Sequence, residues 1–400
     1  MSILGYTRSD GRVGIRNLVL ILAIARGPHF VAAKICEQVR GTTYFVAGDE
    51  DGRDSDDRLT IARVHAGLGS NPNVGAVMIV CNSRTTGYPE LRADVLASEI
   101  RKTGKPVEIL DLEKCDGGLY GALGQGVRVA RRLVVQISRQ RRTSSDFGAL
   151  TIGIKCGLSD ATSGLAGNPV VGYAVDRLLD SGGTAFFSET TEVIGAEHIL
   201  ARRCHDDTVR RAFLDAVAKT EEAAKATGED IRTINPIPAN IEAGITTLEE
   251  KSLGAVAKSG HHTIQGVLRY AERPASTGLF FVDSWMSSSS LFLGYAASGA
   301  QLIIFQLGGG ALHVDAALPS TSTGLVAPIF YATGNPRTSR NLKDEIDFDS
   351  SSIIEHGALL AEVGEQLVGI LSDVASGTFT KAEALLYQDP VDVYLKGPQL

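Results

Sequence analysis

The sequence is short of several things at once. It has five cysteines, at 36, 81, 115, 156 and 204, with no CxxC pair among them. That excludes a disulfide scaffold and points to a reducing compartment. The longest apolar runs, at 18–25 and 149–154, are strand-length, far below the ~20 residues that span a bilayer. The opening MSILGYTRSDGR lacks the basic-then-apolar order of a secretory signal. A cytoplasmic protein that spans no membrane is therefore expected. Basic residues are outnumbered, 39 Lys and Arg against 46 Asp and Glu, the reverse of what a nucleic-acid partner demands. There is no Walker A motif, no GxGxxG, no HExxH and no internal repeat.

What is present is a globular composition rich in glycine. Hydrophobic residues are 44% and charged residues 21% of 400, enough for a packed core, and 44 glycines imply many tight turns. Apolar runs at 17–24, 75–81, 149–155, 184–189, 278–284 and 301–306 are continuous rather than alternating. Such runs suit parallel strands covered on both faces, and helical stretches such as 28–39, 169–180 and 206–220 lie between them. The fold class is α/β, with mainly parallel sheets flanked by helices. An arginine-rich helix end (Arg128, Arg131, Arg132, Arg139, Arg141, Arg142) runs into a polar linker near 139–148. The expected division is an N-terminal α/β domain at 1–140 and a C-terminal catalytic one at 149–400. The tail after about Glu355 reads as one helix followed by a shorter one, a structural element.

Several segments can carry chemistry. GYTRSDGRVGIRN sets Arg8, Arg12 and Arg16 beside glycines, suited either to bidentate capture of a carboxylate or to a solvated loop. KCGLSDATSGLAGNP, 155–169, follows a strand and presents Ser159, Asp160, Thr162 and Ser163 before a helix that Asn168 would cap and Pro169 would open. Lys155 and Cys156 stand at its start, and the structural alternative for Cys156 is a small core side chain. SETTEVIGAEHILARR, 188–203, gathers Glu189, Glu192, Glu197 and His198. Carboxylates with one imidazole suit Mg²⁺, Mn²⁺ or Fe²⁺ and supply a general base; they also suit a helix N-terminus. In GITTLEEKSLGAVAKSG the threonines and glutamates form a capping box. QLIIFQLGGGALH puts glycines after a strand, either bending around an anion or making a turn, and His261, His262 and His313 lack companions at ligand spacing.

These segments, together with NPNVGAVMIV and GLFFVDS, resemble the altronate/galactarate dehydratase family, which also contains a sulfolactate sulfo-lyase large subunit. The resemblance spans positions 5 to about 310. It implies a hydro-lyase that uses a divalent metal, Fe²⁺ or Mn²⁺ with Mg²⁺ as a third choice. A proton next to a carboxylate is removed, water leaves, and the enol becomes a 2-keto acid. Release of sulfite from 3-sulfolactate and a non-catalytic sugar-acid-binding role are the alternatives. On this basis His198 is the expected base, with Glu197 and Lys155 also catalytic. Glu189, Glu192 and Cys156 are the expected metal ligands. Arg12, Arg16, Asn17, Ser159, Asp160, Ser163, Asn168 and Lys251 are expected to hold substrate. Departures include Ala25–Gly27 where the family has a cysteine, CGLSD with Leu158 in place of glycine, and DSWMSSSS and FQLGGGAL in place of family loops. The family's small SAF-type domain is not found in the sequence, so a small SAF-type partner chain, or closure of the site by homo-oligomerisation, is expected.

Overall fold

The computed structural model describes residues 1–47, 53–83, 88–309, 324–385 and 391–397. Its strands, in chain order, are β1 (Ser2–Thr7), β2 (Val13–Gly14), β3 (Leu18–Ala23), β4 (Thr42–Val46), β5 (Val74–Cys81), β6 (Val107–Asp111) and β7 (Thr143–Asp146). Then follow β8 (Thr151–Gly157), β9 (Thr184–Phe187), β10 (Ile264–Arg269), β11 (Gly278–Asp283), β12 (Leu302–Leu307), β13 (Ile329–Thr333) and β14 (Phe348–Asp349). A four-stranded parallel sheet has the order β4-β3-β5-β6, and a seven-stranded parallel sheet the order β10-β11-β9-β8-β12-β13-β14. Helices flank both, so the chain is α/β. Every residue of β5 and of β12 is buried, which is why these runs are apolar without alternation.

Two local expectations are corrected. The segment expected as a polar linker contains β7, which pairs antiparallel with β1; its residues are polar because the strand is largely exposed. The expected single tail helix is two, Ser352–His356 and Leu360–Ala375. Gly357 between them takes a φ of 64°, and that left-handed turn ends the first helix.

The two large sheets share a core. Leu22, Phe45 and Leu68 belong to one buried cluster with Leu291, Tyr295 and Phe305. Helix Ser55–Ser70 crosses helix Ser288–Ser298 where Gly67 lies so close that a Cβ there would fall 2.3 Å from the Ala297 carbonyl oxygen. A polar staple backs this contact. The Asn71 amide donates to Ala296 and Ala300 carbonyls at 2.8 Å, and the Asn73 amide to Gln301 and Val326 carbonyls at 2.8 Å. The Asn73 side-chain oxygen in turn accepts from the backbone of Ile15 at 2.8 Å and Arg16 at 3.2 Å. Buried amides fully satisfied in this way fix one geometry.

In the seven-stranded sheet the chain begins centrally at β8 and builds β9, β10 and β11 to one side. It then lays β12 against the other flank of β8 and adds β13 and β14 outward. The order reverses between β8 and β12, and open α/β sheets bind ligands outside strand carboxyl ends at such a point. Two substitutions test the packing by urea denaturation. Gly67→Val should destabilise by about 1–3 kcal/mol through overpacking. Gly369→Ala, in helix Leu360–Ala375 with open space around it, should stabilise by roughly 0.5–1 kcal/mol.

Candidate active site

Near the carboxyl end of β8, Lys155 and Cys156 turn into a dry interior, both buried. Just past β9, Glu189 takes a φ of 74°, a left-handed conformation that costs a non-glycine residue about 1–2 kcal/mol. Two charge-assisted hydrogen bonds offset it. Lys155 Nζ donates to Glu189 Oε2 at 2.7 Å, and Lys258 Nζ donates to Glu189 Oε1 at 2.6 Å. Glu192 lies one 3₁₀ turn further, 3.4 Å from Lys251 Nζ and 3.6 Å from Lys258 Nζ. Lys258 Nζ also donates to Cys156 Sγ at 3.0 Å, and that thiol faces Glu192 Oε2 at 3.3 Å. Lys251 sits on helix Leu248–Val256 and Lys258 on the 3₁₀ turn that continues it. Seven residues apart, they look to one side of that helix.

Three ammoniums thus meet two carboxylates, all buried. Burial alone would raise the Glu192 carboxyl; the fields of Lys251, Lys258 and Lys155 outweigh it and hold the group at about 2. Burial likewise disfavours charge on Lys258, but Cys156, Glu189 and Glu192 around it keep its ammonium well above the usual range. Burial, with Glu192 adding to it, pushes the Cys156 thiol up to about 12. The set is a dry patch of fixed charge with one positive charge in surplus.

Ligand atoms of Cys156, Glu189 and Glu192 lie within 4.8 Å of one another, so this group could hold a metal ion. One sulfur and two carboxylates suit a borderline divalent ion in number and chemistry. A condition attaches: the Lys258 ammonium now stands among those donors and must turn aside for an ion to enter.

A polar lip surrounds the charges. Lys251 Nζ donates to the side-chain oxygens of Asn235 at 2.7 Å and Asn240 at 3.2 Å, and the Asn240 amide donates to the Ser159 carbonyl at 2.9 Å. Asp160 Oδ1 accepts from Ser163 N at 3.1 Å and Thr162 Oγ1 at 2.6 Å, while Oδ2 accepts from Asn335 at 2.7 Å. Asp160 is therefore the cap of a helix that starts at 161 and passes through the π turn Ser163–Gly167 into Asn168–Asp180. This corrects the expected loop and the expected capping role of Asn168, which is interior to the helix and buried. Asn168 instead donates to the Gly254 carbonyl at 2.9 Å. Its own oxygen and the Gln306 side-chain oxygen have no partner among the described residues; Gln306 is the residue opposite Cys156 in the β8–β12 ladder. Leu158, where the family pattern has glycine, has a φ of 48°.

The structure brings together Lys155, Cys156, Glu189, Glu192 and Lys251, with Ser159, Asp160, Ser163 and Asn168 on the adjoining segment. It does not bring in the others. His198 is exposed on the short helix Glu197–Ala201, and the Glu197 carboxylate accepts from its own Gly195 amide. Arg16 is buried with all five N–H donors used, on Glu383 and on the carbonyls of Ile15, Val374 and Thr378. Asn17 accepts from Arg8 at 2.9 Å and donates to the Ile137 carbonyl at 2.9 Å. Arg12 is bound to Asp10 and the Ser70 carbonyl. Of the first-segment residues expected to hold substrate, Arg16 and Asn17 are thus engaged with side chains and carbonyls of the protein, as are Nε and Nη2 of Arg12. His261 and His262 pair with Asp176 and Asp180, while residues 310–323, with His313 and the last of the three glycines, lie outside the described residues. Sequence reasoning missed Lys258, Asn235, Asn240 and Asn335; the seven-residue spacing of Lys251 and Lys258 was the available signal for the first.

Removing the Asp160 cap tests its structural share. Asp160→Ala should destabilise by about 1–2 kcal/mol in urea denaturation, the loss of the Asn335 bond included. No change would show that the carboxylate does not hold this helix.

Two family models match. One described as "D-galactarate/Altronate dehydratase, C-terminal" covers residues 147–395, and one described as "D-galactarate dehydratase/Altronate hydrolase, second domain" covers residues 5–138. The chain is 35% identical over 393 residues to (2R)-sulfolactate sulfo-lyase subunit beta of Chromohalobacter salexigens, spanning 96% of this chain and 95% of that protein. It is 28% identical to galactarate dehydratase (L-threo-forming) of Escherichia coli, over 93% of this chain and 72% of that one. With altronate dehydratase of the same organism it shares 26%, over 94% and 74%. Among the described residues no helix is long and apolar enough to cross a membrane. By residues, order and coverage, the chain belongs to the D-galactarate/altronate dehydratase family of lyases.

Proposed function

We propose that the chain eliminates a β-leaving group from a 2-hydroxy acid to give a 2-keto acid, and that the buried lysine–glutamate set is its reaction centre. The observation that carries this is the surplus of ammoniums over carboxylates, in a dry place, at the reversal point of a parallel sheet. Removing a proton next to a carboxylate puts a second negative charge on the substrate. Preorganised cations in a site without water stabilise that charge without reorganising.

The residues divide the work. Lys251, held by two amides and Glu192, is placed to take the substrate carboxylate. Lys258, kept protonated by its neighbours, donates to the enediolate oxygen. Lys155, bonded to Glu189 at 2.7 Å, retains the catalytic role expected of it: once its own proton has been released, its amine accepts the substrate's proton and hands it to the departing group. His198, exposed on its short helix, has no part. Ser159, Ser163, Asn168 and Gln306 offer hydroxyl and amide groups to the substrate's hydroxyls. Cys156, Glu189 and Glu192 would hold a divalent ion. A thiolate ligand favours Fe²⁺ or Mn²⁺ over Mg²⁺, and when bound the ion supplies a Lewis acid to the enediolate oxygens.

Water as leaving group is the reading that the two sugar-acid dehydratases support. Sulfite is the second reading, and a specific observation favours it: the chain is 35% identical to the sulfo-lyase subunit but 28% and 26% identical to the two dehydratases. Because that relative is one subunit of its enzyme, a small second chain of SAF type belongs to this proposal. Closure of the site by a second copy of this chain is the alternative assembly, and a cytoplasmic location fits either.

Turnover of altronate, galactarate and (2R)-sulfolactate, followed by 2-keto acid and by sulfite, separates the readings, with and without a candidate small subunit. In whichever assay is active, Lys258→Gln should lower turnover by at least ~100-fold, and His198→Ala should stay within about two-fold of the parent. The reverse pattern would overturn the assignment, and no turnover with any hydroxy acid would favour a binding homologue. Metal content is a second check. About one divalent ion per chain is expected, lost in Glu192→Gln and kept in His198→Ala; an unchanged content in Glu192→Gln would place the ion elsewhere.

A further inference from the structure

The opening segment GYTRSDGRVGIRN is not used by the lyase centre, yet it puts charge at a second cavity. This cavity, of about 340 Å³, lies at the other end of the seven-stranded sheet. Thr151 at the start of β8 and Thr184 at the start of β9 line it, whereas Lys155 and Glu189 stand at or beyond the opposite ends of these strands. Its wall comes from both halves of the chain: Arg12 on one side, and Arg273, Ser276, Thr277 and Ser298 on the other.

The donors facing this space are unspent. Arg12 uses Nε and Nη2 on Asp10 and the Ser70 carbonyl, and its Nη1 has no partner among the described residues. Arg273 is exposed and makes no hydrogen bond or ion pair with any described residue, and it is close enough to Arg12 and Asp10 to feel the charge of both. Ser298 is buried, and its Oγ has no partner among the described residues. A buried hydroxyl without a partner is unfavourable, and an acceptor in this cavity would satisfy it.

The surrounding field has one sign. Lys105, buried and bonded only to the Gly69 and Asn71 carbonyls, feels Arg12, Arg8 and Arg273 against a single carboxylate, Asp10. Arg12, Arg8 and Arg273 stand there against Asp10, a local excess of cations inside a chain whose formal charge is −7. The free fork of Arg273, with the spare Nη1 of Arg12 beside it, suits a planar oxyanion, carboxylate or phosphate. The volume is that of a small-molecule site.

We infer that this cavity is an anion-binding site, separate from the lyase centre, which takes a small carboxylate or phosphate ligand between Arg12 and Arg273 with Ser298 Oγ donating to it. Because its walls come from segments on both sides of the shared core, a bound anion also ties the two halves together.

Calorimetric titration of the whole chain at low ionic strength tests this, with malonate in one arm and inorganic phosphate in the other. One equivalent of either anion should bind, weakened roughly ten-fold or more in Arg273→Gln and unaltered in Arg128→Gln, an exposed arginine of helix Gly118–Ile137. The tighter of the two anions tells a carboxylate ligand from a phosphate one. Binding to Arg273→Gln as tight as to the parent, or equal weakening in Arg128→Gln, would overturn the inference. So would the lack of saturable binding by both anions. Lyase activity enters none of these outcomes, so this site stands or falls apart from the proposed reaction.

Discussion

Two carboxylates shut away from water in a protein interior stay charged only if cations stay with them. Here Glu189 and Glu192 are held by Lys155, Lys251 and Lys258. Stripping one partner from a buried pair costs about 3–5 kcal/mol, so the set is interdependent, and each chain segment that supplies a member is bound to the others. Those segments are the end of β8, the turn after β9, and the helix and turn spanning 248–259. The left-handed Glu189, the π turn at Ser163–Gly167 and the close approach of Gly164 to Gly254 are local irregularities that this convergence imposes. Strained positions cluster where a site over-determines them.

The remainder of the fold holds that convergence still. Asn71 and Asn73 fasten the four-stranded sheet's leading turn to the helix and strand that back the lysine–glutamate set. Arg8 donates to the Pro72 and Arg16 carbonyls at 2.7 and 2.9 Å, so the arginine-rich opening is part of the same fastening. A shared apolar core and a buried polar staple give little freedom between the two sheets.

The α/β architecture was legible in the sequence because strands covered on both faces leave an apolar run that nothing else imitates. Lys155, Cys156, Glu189 and Glu192 stood out for a related reason: they lie at or just after such runs, near the carboxyl ends of parallel strands, and the structure brings them together. The failures share one cause, that sequence adjacency says nothing of direction. His198 sits beside Glu197, yet the short helix that carries both leaves its ring exposed. Arginines next to glycines look like a carboxylate clamp, but backbone carbonyls and Glu383 consume every donor of Arg16. Asn168 before Pro169 has the form of a helix start; Asp160 had already capped the helix eight residues earlier. Lys258 was passed over because its meaning depends on Glu189, which lies 69 positions away in the chain.

The central claim is that substrate meets the buried ammoniums. A crystal structure of the chain with an unreactive 2-hydroxy-acid analogue tests this most directly. The account predicts the analogue's carboxylate within hydrogen-bond distance of Lys251 or Lys258 Nζ, with its C2 facing Lys155. An analogue seated beside His198, or anywhere that leaves all three lysines bound only to their present partners, would contradict it.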